Sequence, residues 1–117
     1  MALERFSRSY ESSTPVNPRG ELLQLPEGQT VSDYIRGLIQ ADRLVVGIEG
    51  GETDLPYAIK VAGTGAFMFS SDFPHEVNAE TVKKEVRELR EREEVSEEAK
   101  EAILSGNAAR FYRLAAA

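Results

Sequence analysis

The chain has 117 residues, a formal net charge of −6 and 41% hydrophobic residues, which suits one domain with a modest core. An acidic chain with a pI near 4.9 argues against nucleic acid or an anionic membrane as its main partner, and no run approaches the roughly 18 apolar residues that span a bilayer. The absence of cysteine excludes disulfides and thiolate metal sites and fits a cytoplasmic protein, as does a start without the apolar region of a signal peptide.

Leu3, Phe6 and Tyr10 stand at helical spacing, which predicts a short amphipathic helix over 2–11. Residues 12–29 are then punctuated by Pro15, Pro18, Gly20, Pro26 and Gly28 and read as irregular. Inside them, Leu22, Leu23 and Leu25 are expected to pack on a neighbouring surface. The segment is either a loop that contributes to a pocket or interface, or a passive linker.

Thr30 or Ser32 can cap a short helix that carries Tyr34, Ile35 and Leu38. Residues 43–49 (Arg-Leu-Val-Val-Gly-Ile-Glu) form a β-branched, nearly uninterrupted apolar run, the pattern of a buried strand. Gly50 and Gly51 end it and let the chain turn sharply. They lack the Gly-Lys-Ser/Thr of a phosphate loop and the spacing of a dinucleotide site. Glu49 at this turn either lines a pocket or is an exposed loop acid.

Thr53 or Asp54 caps the next helix, which has Pro56 in its first turn and runs to Gly63. A second apolar run follows, Phe67-Met68-Phe69-Ser70-Ser71, with Asp72-Phe73-Pro74-His75-Glu76 directly behind it. The order is strand, helix, strand, with a length suited to a parallel crossover. Asn78 is placed to cap a helix of 79–94 whose buried stripe is Val82, Val86 and Leu89. The dense Lys, Arg and Glu around that stripe suit a solvated face laced with i,i+4 pairs. Ser96 opens another helix with Ala99, Ala102 and Ile103 inward. Gly106 is expected to take the left-handed position that ends it, and Asn107 to cap a last short helix packed through Ala108, Phe111 and Tyr112.

Asp72 is the residue with the sharpest functional meaning. A carboxylate at the end of an apolar strand is costly to bury unless it is paired or bound to a cation, and strand ends are where α/β barrels place catalytic groups. The alternative is that Asp72 caps the following helix or bonds local backbone amides. His75 is the single histidine of the chain, so a Ser/His/Asp arrangement has only one possible base, and no serine sits in a nucleophile elbow.

Ser71-Asp72-Phe73-Pro74-His75 resembles the last-strand motif of the amidohydrolase-related branch of the metal-dependent amidohydrolases, the group that includes aminocarboxymuconate-semialdehyde decarboxylase. Ile103-Leu104-Ser105-Gly106-Asn107-Ala108-Ala109-Arg110-Phe111-Tyr112 resembles the closing pattern of the same family. The resemblance covers roughly 44–114 and implies an α/β fold: the C-terminal portion of a (β/α)8 barrel, with two parallel strands and flanking helices. On this reading residues 1–117 are one partial amidohydrolase-like domain. A helix and an irregular loop occupy 1–43, and strand, helix, strand and helices occupy 44–114.

The resemblance also implies a function. Asp72 and His75 would be catalytic residues, Asp72 also a metal ligand and His75 in reach of substrate. The metal would be divalent, zinc in the first instance, with its other ligands on a partner, because a zinc site needs three or more. The partner would be a larger amidohydrolase-like chain. The activity would be a hydrolase or a non-oxidative decarboxylase acting on a small organic acid or amide. The contrasting class is a non-catalytic subunit that completes a fold or regulates it.

Overall fold

The computed structural model describes residues 2–13, 24–75 and 77–114. They fall into two compact units, 1–41 and 42–117.

In the first unit, α1 (Ala2–Ser13) packs against α2 (Val31–Gln40). Tyr10 is half-buried and its hydroxyl accepts a 3.1 Å hydrogen bond from the Leu25 amide. Phe6, expected on the same stripe, is exposed; the Leu3 side chain and residues 14–23, with Leu22 and Leu23, lie outside the described residues. Helix α2 starts where its cap chemistry dictates. Thr30 Oγ1 accepts from the Asp33 amide at 3.1 Å, and Asp33 accepts from the Thr30 amide at 3.1 Å. This reciprocal pair satisfies two amides that helix geometry leaves without partners.

The second unit holds a two-stranded parallel sheet. Strand β1 (Val46–Ile48) pairs with β2 (Phe67–Phe69) in the register Val46–Phe67, Gly47–Met68 and Ile48–Phe69. Helix α3 (Leu55–Ala62) joins them, so the unit is α/β with the expected strand, helix, strand order. Pro56 lies in the first turn of α3, whereas Asp54 occupies the cap position without a side-chain bond. Gly63 then turns the chain at φ +88°, a conformation that costs glycine little.

Both strands are shorter and more open than their apolar runs suggest. Val46 is 43% exposed and Gly47 is exposed, while Ile48 and Phe67 are buried. The reason is topological: among the described residues, each strand has only the other as a neighbour, so each keeps a free edge.

Behind the sheet, α4 (Ala79–Glu91), α5 (Glu97–Glu101), a π-helical turn (Ala102–Gly106) and α6 (Asn107–Phe111) follow in order. Asn78 caps α4 by accepting from the Glu80 and Thr81 amides at 2.9 and 3.1 Å, and Ser96 caps α5 by accepting from the Ala99 amide. The core of the unit is Ile48, Leu55, Ala66, Phe67, Leu89, Val95, Ala99 and Ile103; of the expected stripes Leu89, Ala99 and Ile103 are buried, whereas Val82, Val86 and Ala102 are only half-buried. Lys83–Glu80 and Lys84–Glu88 pairs lie on the solvated face of α4.

The C-terminal end corrects the sequence expectation. Gly106 is not left-handed, and Asn107 caps nothing. Their φ,ψ values are −61°, −44° and −69°, −39°, ordinary right-handed helix. The chain passes from α5 to α6 without a break, through one wide turn in which the Asn107 amide bonds the Ala102 carbonyl. The Asn107 side chain is spent on tertiary partners. It is 1% exposed, and its Nδ2 donates to the carbonyls of Thr64 and Phe67 at 2.6 and 2.7 Å. One buried and one part-buried acceptor outweigh a local cap, because a buried carbonyl left without a donor is costly.

Candidate functional site

Parallel pairing brings the C-terminal ends of β1 and β2 to one edge of the sheet. Glu49 follows β1 there and is exposed; Ser70, Ser71 and Asp72 follow β2. The ladder reaches this edge through the Ser70 amide, which donates to the Ile48 carbonyl at 2.9 Å.

Asp72 sits in a tight turn. Its own carbonyl accepts from the His75 amide at 2.9 Å, the Ser71 hydroxyl accepts from the Phe73 amide at 3.4 Å, and the Phe73–Pro74 peptide is cis. Its backbone takes φ +52°, a region that aspartate enters more readily than most residues. The side chain is exposed, and among the described residues no hydrogen bond or ion pair reaches its carboxylate. Asn78 caps the following helix instead. Neither structural employment considered for Asp72, helix cap or acceptor of local amides, is therefore taken up among the described residues. His75 is exposed in the same turn, three residues on.

The loop behind β1 is held against α4. Gly50 is buried, and a Cβ there would run into the Glu85 carbonyl, so only glycine allows this approach. The Arg92 guanidinium bonds the Glu52 carbonyl and reaches Glu94 at 2.8 Å. The Glu94 carboxyl is held below the usual range by a backbone amide first, and by Arg92 second. Lys100 is buried and donates to the Arg90 carbonyl at 2.8 Å and to Glu97 at 2.6 Å, closing the C-terminal end of α4.

The opposite end of the sheet carries residues the sequence reading did not single out for this task. Arg110 donates to Asp42 at 2.6 Å, to Asn107 Oδ1 at 2.9 Å and to the Gly65 carbonyl at 3.1 Å. The partners lie 68, 3 and 45 positions away, so no local pattern announces the cluster.

The described residues do not by themselves fit a metal centre: no three His, Asp or Glu side chains are gathered where they could hold an ion. Asp72 offers one free carboxylate. No described helix is long and apolar enough to cross a membrane.

An α/β unit with parallel strands and a free acid at a strand's C-terminal end is the class of arrangement that metal-dependent hydrolases build upon. The family model described as amidohydrolase matches residues 51–114, more than half of the chain, and the chain belongs to that family. No curated protein and no solved structure matches it.

Proposed function

We propose that this chain supplies the last-strand segment of an amidohydrolase barrel of the aminocarboxymuconate-semialdehyde decarboxylase-like branch. Its partner is a larger amidohydrolase-like chain that carries the remaining strands and the histidine ligands. The shared site is that of a metal-dependent hydrolase or non-oxidative decarboxylase for a small organic acid or amide. Asp72 is its contribution to that site, with His75 beside it.

The observation that carries this reading is the Asp72 side chain: exposed, without a bond among the described residues, at the C-terminal end of a parallel strand. The free edges of β1 and β2 and the exposed Val46 and Phe73 support a further strand-bearing chain, because an uncovered strand edge is a template for pairing. A bound divalent metal, zinc in the first instance, would supply Lewis-acid activation. Asp72 would present an anionic carboxylate able to ligate it or to accept a proton.

The test is genetic first and chemical second. A reading frame beside this one should encode a barrel chain with a His-x-His pair and two later histidines, lacking the Ser-Asp-x-Pro-His segment. In the complex reconstituted with it, Asp72→Asn should lower turnover by about two orders of magnitude, the range of a positioned acid–base group, with assembly intact. An Asn variant that turns over normally would refute the assignment of Asp72. Assembly without activity in the native complex would favour a fold-completing or regulatory subunit.

A further inference from the structure

We propose that Asn107 is a positioning residue, a register lock that fixes where β2 begins and so which residue that strand delivers at its far end. The inference rests on the reading of Asp72 as the functional group, and assigns to Asn107 and Arg110 the task of aiming it. The β1–β2 ladder is three residues long, too short to define its register strongly. A slip of one residue would turn every side chain of β2 to the opposite face, and Ser71 would stand where Asp72 stands.

Asn107 prevents that slip from the N-terminal end of the strand. One amide nitrogen donates to two carbonyls, Thr64 before β2 and Phe67 at its first residue. Displacing β2 by one position would leave both bonds unmade inside a buried site. The amide's orientation is fixed in turn, because Oδ1 accepts from Arg110, and Arg110 bonds Asp42 ahead of β1 and Gly65 ahead of β2. The same two side chains therefore hold the approaches to both strands. The wide turn at Ala102–Gly106 leads straight into this contact, with Ile103 buried in the core and Asn107 on the strand. Such single wide turns are frequent at functional sites.

The Ser70 amide, which donates to Ile48 at the Asp72 end, reports the register. We would measure hydrogen exchange at single-residue resolution on the full chain in dilute solution. Asn107→Asp replaces the donor with an acceptor that faces two carbonyls. Ser70 protection should fall about tenfold or more, the effect of unmaking a buried hydrogen bond, while α4 amides keep theirs. If Ser70 is unchanged, or falls only in step with α4, the lock is refuted. Should Asn107→Asp fail to fold, Arg110→Gln decides: it frees Oδ1 of Asn107 and should lower Ser70 protection severalfold, and an unchanged Ser70 refutes the proposal. In the reconstituted enzyme, Asn107→Asp should lower kcat with KM retained. Asp72→Asn should leave Ser70 protection untouched. If Asp72→Asn proves fully active while Asn107→Asp still releases Ser70, the reading of Asp72 fails and the lock stands.

Discussion

Asp33 illustrates how far one cap reaches. The Thr30 hydroxyl and then its amide hold the Asp33 carboxyl below the usual carboxylate range, with a smaller contribution from Arg36. A carboxyl depressed in the folded chain stabilises it at and above the ordinary carboxylate range. That contribution is lost as pH falls through the folded value, so α2 should fray only below about pH 4. Thr30→Ala should move the Asp33 titration, followed by NMR, upward towards the ordinary range, with the amide and Arg36 still holding it partly down. An unshifted titration would mean that the hydroxyl is not its main partner. Gly50 is the opposite kind of residue, defined by what it lacks. Gly50→Ala sets a methyl against the Glu85 carbonyl and should destabilise the second unit by about 1–3 kcal/mol, the usual range for overpacking. Urea unfolding at unchanged m-value would measure it.

At the scale of elements, the sequence was most legible where the governing chemistry is local. Thr30, Asn78 and Ser96 start helices because each side chain bonds an amide two or three residues ahead, a relation that spacing alone displays. The inward stripe ending at Leu89 and the pair Ala99 and Ile103 were readable for the same reason. Gly106-Asn107 failed because its local signal was sound and was overruled from 40 residues away, by the Phe67 carbonyl. The strands were overestimated for a related reason. An apolar run records what a segment is ready to bury, and says nothing of whether neighbours arrive, so residues 43–49 yield only Val46–Ile48. Of the candidate site, Asp72 was legible from its place behind an apolar strand. Its left-handed backbone was not, because the residue types on either side do not announce a turn closed by the His75 amide on the Asp72 carbonyl.

For the whole molecule, the sheet edges decide the behaviour expected in solution. Among the described residues the two parallel strands offer two free edges, and Val46, Tyr57, Val61 and Phe73 leave apolar surface in the second unit open. The chain alone should therefore self-associate as its concentration rises, visible as a growing mass in sedimentation equilibrium. Adding the barrel chain should replace that series by one defined complex. A monomer that stays monodisperse across the micromolar range would show that these edges need no cover, and would remove the main support for a partner.

The wide turn at Ala102–Gly106 also sets a rule for how this chain can vary over evolutionary time. Five residues fill one turn there, with the Asn107 amide on the Ala102 carbonyl. Losing one residue would rewind it to the ordinary spacing of four, which sets the same amide above the same carbonyl. The face that presents Asn107 and Arg110 is therefore kept, whereas an added residue has no slack left to absorb it. Deleting exposed Ser105 should cost Ser70 far less protection than Asn107→Asp, and inserting a residue beside it should cost as much. A scan of single deletions and insertions across 102–106, scored by Ser70 exchange, would show a segment that can lose a residue but cannot gain one.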